Sequence, residues 1–272
     1  MNLLVQEGSM DIFSRTDVLQ FYDGSGVVKF AVKSDRGMVR EINEDSYNVI
    51  AGYPGIPVCF LIADGMGGHN SGEIASKMAV DFVSGYILKF PELFSNGETL
   101  CDSIRDSIEK ANKTVFSAAM ESETNSGMGT TLTIAVVDNK KLYIGHVGDS
   151  RVFLIRGNEM IRLTTDHTYI EELVKNGSIT REEASGHPKR NILTRAVGCE
   201  RNIKVDTYVY DIKDNDLFLM CTDGLTNMLS EFEMLDIVRK QKDLESICNE
   251  LVMAANDRGG EDNITVITFR DE

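Results

Sequence analysis

Short runs of apolar, β-branched residues recur along the chain and stop at turn-forming residues. They predict strands over Val27–Lys33, Val58–Ala63, Thr131–Val137, Leu142–Val147, Val152–Ile155, Val205–Tyr210, Leu217–Cys221 and Ile264–Phe269. Asp64-Gly65, Asp138-Asn139, Gly148-Asp149 and Thr222-Asp223-Gly224 each follow such a run directly. Between Ser71 and Phe90 the period becomes helical: Ile74, Met78 and Phe82 recur every four residues, with Ala75, Ala79, Val83 and Ile87 alongside. Ile104, Ile108, Ala111, Val115 and Ala118 mark a second helix from Leu100 to Met120, and Glu231–Arg239 and Leu244–Asn256 form a second helical pair before the last strand. The order is strands, two helices, strands, two helices, strand. It predicts helices grouped against a mostly antiparallel sheet system, an α+β fold.

The stretch Thr164–Gly198 departs from this pattern. It is polar, has little strand character and carries one short helical segment, Ile170–Lys175, ending at Asn176-Gly177. A connection of that length reads as a functional excursion from the core. Residues 1–26 read as an N-terminal extension and residues 27–272 as one domain, with no Pro/Gly/Ser-rich linker and no internal repeat between them.

Charge and composition narrow the function. The 272 residues carry 28 Lys+Arg against 43 Asp+Glu, a formal charge of −15, which argues against a partner bound through a phosphate backbone, so no nucleic acid is expected. The longest strongly apolar run, Val58–Ala63, is far short of the roughly 20 residues of a membrane-spanning helix, so no membrane insertion is expected. The first residues lack the basic and apolar regions of a secretory signal, and Cys59, Cys101, Cys199, Cys221 and Cys248 are odd in number and scattered. Buried, reduced thiols in a cytoplasmic protein are the expectation. No cysteine is followed six positions later by Arg, which excludes the C-x5-R cradle of cysteine-nucleophile phosphatases.

Four acids stand at the ends of apolar runs: Asp64, Asp149, Asp223 and Asp262. Each alone reads as a hairpin end. Together with Asn43-Glu44-Asp45 they form a set of hard oxygen donors suited to Mg²⁺ or Mn²⁺. His69, His146, His167 and His187 show no H-x-x-x-H spacing, which disfavours zinc. Gly65, Gly67 and Gly68 would let backbone approach a metal or phosphate closely, and Arg40 is the cation nearest the acidic set, its guanidinium able to grip phosphate oxygens. For a lone Arg a surface ion pair is a commoner role than a phosphate grip, and periodicity alone does not bring these distant acids together.

The motifs SDRGMVREINEDS (34–46), FLIADGMGGHNSGEIAS (60–76), GMGTTLT (127–133), IGHVGDSRVFLI (144–155), LTTDHT (163–168), ILTRAVG (192–198), LFLMCTDGLTNML (217–229) and EDNITVITF (261–269) occur in one order. In that order they resemble the metal-dependent Ser/Thr protein phosphatases, the PPM family of type 2C, in its bacterial variety. The resemblance spans about residues 28–270. It implies a four-layer αββα sandwich of two central antiparallel sheets flanked by helical pairs, with a mobile flap over about 164–198. It also implies two tightly held Mn²⁺ or Mg²⁺ ions and a weaker third, with a metal-activated water as the attacking group.

By that resemblance, Asp64 bridges two metals, the Gly65 carbonyl binds the first, and Asp223 and Asp262 bind the second. Glu44 and Asp45 order metal-bound waters, Arg40 holds the substrate phosphate and Asp149 serves the third metal. Two positions depart from the animal members. Met66 stands where they carry a candidate general-acid His, and Asn227 where they carry an Asp, which implies a labile third metal resting mainly on Asp149. The implied partners are phosphorylated proteins and a Ser/Thr kinase that the enzyme opposes, with a monomer as the expected state. Glu171, Glu172, Lys175 and Arg181 are candidates for substrate selection in the flap. The alternative is a catalytically weak, phosphoprotein-binding member of the same fold, which would usually have lost metal acids; none is lost here. A structural Ca²⁺ protein would need a local D-x-D-x-D-G loop, and there is none.

Overall fold

The computed structural model describes residues 19–22, 27–67, 71–121, 123–185 and 187–272. In chain order the elements are β1 (Leu19–Tyr22), β2 (Val27–Asp35), β3 (Asp45–Ile50), β4 (Val58–Met66), α1 (Gly72–Lys89), α2 (Leu100–Glu121), β5 (Gly129–Thr130), β6 (Leu132–Asp138), β7 (Lys141–Val147), β8 (Arg151–Arg156) and β9 (Glu159–Arg162). They continue with α3 (Tyr169–Lys175), α4 (Arg181–Ser185), β10 (Asp206–Asp211), β11 (Leu217–Cys221), α5 (Asp223–Thr226), α6 (Glu231–Lys240), α7 (Leu244–Asp257) and β12 (Ile264–Asp271).

The strands form two antiparallel sheets, one in the order β1-β2-β12-β11-β8-β9 and one in the order β10-β7-β6-β4-β3, with β5 pairing β4. The other residues of the proposed N-terminal extension lie outside the described residues, but Leu19–Tyr22 pairs with Val27–Phe30 and so joins the first sheet.

The apolar runs are continuous because the central strands bury both faces, and the two-residue period sorts the side chains between them. On β4, Val58, Phe60 and Ile62 enter the layer between the sheets, while Cys59, Leu61 and Ala63 face α1 and α2. On β11, Phe218 and Met220 point between the sheets, whereas Leu217, Leu219 and Cys221 meet α6 and α7. The result is the expected αββα order. Phe60 and Phe218 both stack on Phe269, with ring centroids 4.3 and 5.1 Å apart, and Phe30 meets Phe60 edge-on at 5.4 Å. Truncating Phe60 to Ala would cost about 3–5 kcal/mol.

The pairing also gathers the acids. Asp45 is the cross-strand neighbour of Asp64, at the start of β3 and near the end of β4. Asp223 follows β11 and Asp262 precedes β12; because these strands are antiparallel, Cys221 opposite Val266, both acids emerge at the same end. That pole of the sandwich is where the candidate site lies.

Among the described residues no helix is long and apolar enough to cross a membrane. Cys59, Cys221 and Cys248 are buried free thiols, as expected; Cys101 is half-buried, and Cys199, in a polar loop, is exposed.

Candidate active site

Thr265 of the first sheet and Thr222, one residue past its strand β11, reach across to an acid of the second. Thr222 and Thr265 hydroxyls donate to Asp45 Oδ2 at 2.9 and 2.7 Å, leaving Asp45 Oδ1 buried without a partner. Burial, then repulsion from Asp223 and Asp262, outweighs these two bonds and pushes the Asp45 carboxyl up to about 7. Asp64 is raised well above the usual carboxylate range by burial and then by Asp45, Asp223, Asp149 and Asp262. Asp149 is raised by burial, then by Asp223 and Asp166, against the pull of Arg151. Asp223 is raised by burial and Asp262, opposed by the neighbouring Asp64 carboxyl and by the hydrogen bond from Asn227.

Asp45, Asp64, Asp149 and Asp223 therefore share one region in which burial and neighbouring acids disfavour charge. They converge without closing, since among the described residues no three Asp, Glu, His or Cys side chains form a ready-made cation cage.

Close backbone approach fixes the rim. A Cβ on Gly65 would lie 2.1 Å from the Gly72 carbonyl oxygen and 2.6 Å from that of Glu44, so β4, the start of α1 and Glu44 meet only over glycine. The Glu44 carboxyl is raised by burial, partly offset by Arg40. Arg40 itself is exposed, with its guanidinium 2.8 Å from Asp262 and 3.6 Å from Glu44. Asn227 donates to Asp223 Oδ2 at 2.9 Å and α5 begins at Asp223, so the amide holds that acid in place. Met66 lies across from Gly129; Gly68 and His69 lie outside the described residues.

The oxygen donors fit a divalent cation. Asp45 Oδ1 and Asp223 Oδ1 are buried with no hydrogen-bond partner, and Glu73 Oε2, at the start of α1, is a third such atom. A hard cation among these carboxylates would relieve both the missing partners and the repulsion.

The family described as Protein phosphatase 2C matches residues 38–263, which contain all of these acids. The chain belongs to the protein phosphatase 2C family. Serine/threonine phosphatase stp of Listeria welshimeri is 40% identical over 235 residues, covering 86% of this chain and 92% of that protein. Protein phosphatase PhpP of Streptococcus pneumoniae is 37% identical over 248 residues, 88% and 96% of the two chains. The solved S. agalactiae serine/threonine phosphatase superposes with a TM-score of 0.83 at 34% identity, covering 90% of this chain and all of that one. The catalytic domain of the phosphatase PstP, solved in complex with 2 manganese ions, gives 0.76 at 30% identity over 90% of this chain and 98% of that one.

As a protein phosphatase 2C, the chain carries an excursion whose roots are fixed and whose middle is exposed. His167 exchanges backbone bonds with Gly148 and Thr194, and Thr130 with Val197, at 2.8–2.9 Å. Asp166 takes a bidentate bond from Arg151 at 2.7–3.1 Å and a further contact from Arg162. Glu171 and Arg181, offered from sequence as substrate-selecting, bind each other and brace α3 against α4.

Several supporting residues were not legible as such. Asn263 is buried and anchors three loop positions; Thr131 binds the Asp64 N–H at 2.8 Å and Ser150 at 2.7 Å. Asn263 reads in sequence as one more turn residue, and the threonines read as ordinary strand formers.

Proposed function

We propose that this protein phosphatase removes phosphate from phosphoserine and phosphothreonine in proteins, with Mn²⁺ or Mg²⁺ held at the acid pole. The observation that carries this reading is the pair of buried, partnerless oxygens Asp45 Oδ1 and Asp223 Oδ1 among acids that raise one another's pKa. The serine/threonine phosphatases of Listeria and Streptococcus and the manganese complex of PstP support it.

Asp64, the Gly65 carbonyl, Asp223 and Asp262 would hold two ions, with Asp149 serving a weaker third. When bound, such ions supply Lewis acidity at the phosphoryl oxygens and lower the pKa of water. The chain's own residues do the rest. Arg40, exposed and tethered among the described residues only to Asp262 and Glu44, can turn its remaining N–H donors onto a substrate phosphate. Asp45, pinned by Thr222 and Thr265, keeps one oxygen aimed into the site, and Glu44 stands beside Arg40 as a second acceptor that orders water. The proposed partners are phosphorylated proteins and the kinase that modifies them, acting on a monomeric enzyme.

The test is hydrolysis of a phosphothreonine peptide. Activity with Mn²⁺ should vanish with EDTA and return with excess Mn²⁺, and Arg40→Ala should raise KM at least tenfold. Turnover that survives chelation, or peptide binding without any turnover, would overturn the proposal in favour of another mechanism or of a binding role.

A further inference from the structure

The segment between β2 and β3 is held rigidly yet shows apolar side chains to solvent. Gly37 sits at φ +79, where a Cβ would strike the Asp262 carbonyl oxygen at 2.3 Å, and its N–H is held by Asp35 at 2.9 Å. The Met38 N–H donates to the Gly260 carbonyl at 2.8 Å. Buried Asn263 donates to the carbonyls of Arg36 and Ile42, both at 2.9 Å, and accepts from the Glu44 N–H at 2.8 Å. A backbone pinned at these points cannot fold inward to hide its side chains. Yet Met38 is 68% exposed, Val39 65% and Ile42 41%.

Single exposed apolar residues need no explanation. Three within five positions, on both sides of the arginine that faces the acid pole, form a broken apolar collar along the chain about its charge, interrupted by exposed Glu41. We infer that Met38 and Val39, with Ile42, form a specificity surface for the substrate chain and select phosphopeptides with an aliphatic or aromatic side chain one or two residues from the phosphorylated one.

The inference rests on the assignment of Arg40 to the substrate phosphate. Val39 and Met38 stand one and two residues from Arg40. Neighbouring Cα atoms are about 3.8 Å apart and the segment bends at Met38 and Val39, so both lie at most about 7.6 Å from the Arg40 Cα, within about one to two positions of an extended substrate. Charge argues for the same occupant. The phosphate supplies the anion that Arg40 takes, Glu44, Asp262 and the overall −15 disfavour an acidic neighbour, and among uncharged neighbours an apolar one gains by covering Met38, Val39 and Ile42.

The experiment uses matched phosphothreonine peptides with Leu or Ser on either side of the phosphothreonine, together with non-hydrolysable phosphonate versions labelled for fluorescence polarisation in Mn²⁺ buffer. Wild-type protein should favour the Leu peptides about tenfold, in kcat/KM and in Kd. The double variant Met38→Ser/Val39→Ser should reduce that ratio to below twofold, and the nearly isosteric Val39→Thr to about threefold. Equal handling of the two peptides by wild-type protein, or a preference that survives in the double variant, would overturn the inference while leaving the phosphatase reading intact. Failure to hydrolyse any peptide would overturn that reading instead, and the phosphonate affinities would still decide whether the collar selects apolar neighbours.

Discussion

Two acid-rich regions meet at Asp149 and are built on opposite terms. At the root of the excursion each acid has a cation or donor: Asp166 has Arg151 and Arg162, Asp206 has Arg195 and His167, Glu171 has Arg181 and Arg162. Burial pushes Asp206 up, but the hydrogen bonds from Arg195 and His167 outweigh it and leave its pKa lowered. At the acid pole Asp45, Asp64 and Asp223 are buried among other acids, their pKa values are raised, and two aspartate oxygens lack partners. Asp149 lies at the join, raised by acids of both regions and lowered by Arg151. A buried acid that the chain has already paired is structural, while one it leaves unpaired is poised for something from outside. The acid count, which is all that composition reports, does not distinguish the two.

The strongest way to break this contrast is to neutralise one acid in each region. Asp64→Asn should lower kcat at least about 10³-fold, since it removes the central ligand of the proposed ions. In EDTA the same change should raise the melting temperature by about 2 °C or more, because it removes repulsion that nothing offsets without metal. A lower melting temperature in EDTA would mean that the acid pole is as well satisfied as the excursion root. Asp166→Asn should do the reverse, costing about 3–5 kcal/mol in urea unfolding by stranding the half-buried Arg151 guanidinium. A loss below 1 kcal/mol would show that this pairing is not what holds the root.

The sequence carried the frame of this comparison but not its terms. Alternation and turn residues predicted the two sheets and both helical pairs, because strands such as β4 and β11 bury both faces and leave no ambiguity of class. They missed β3, whose Asp45–Ile50 is mostly half-buried at a sheet edge and mixes polar with apolar residues, and α4, too short to show a period. Asp64, Asp223 and Asp262 were visible as strand-end acids, and family resemblance assigned their roles. Which acids were paired depended on contacts between residues far apart in the chain. Arg151 with Asp166 and Thr265 with Asp45 leave no local signal.

The two regions should also respond to pH with opposite sign. His146 is buried, bonded to the Thr133 hydroxyl at 2.9 Å and the Thr165 carbonyl at 3.2 Å, with the His167 ring 4.8 Å away. Burial, then His167, lowers its pKa to about 3. The unfolded chain takes up a proton below about 6.5 and the native one does not, so this contribution is fully present above that pH and is lost on acidification. By pH 5 the loss should be about 2 kcal/mol, and His146→Gln should flatten the stability profile between pH 5 and 6.5. A slope unchanged by the substitution would remove His146 as its source.

At the acid pole the sign reverses, and a single hydrogen bond gives the finest test. The native Asp45 pKa, about 7, lies above its ordinary value of 3.8, so in metal-free protein its contribution is present in acid and is lost as pH rises through 7. The bond from Thr265 opposes this rise, because it favours the ionised carboxylate. Thr265→Val should therefore cost about 1 kcal/mol at pH 8 beyond whatever it costs at pH 5, where Asp45 keeps its proton in either protein. Urea unfolding in EDTA at the two pH values measures that difference. An equal loss at both would mean that Thr265 serves only sheet packing and that Asp45 does not carry the charge by which the acid pole differs from the excursion root.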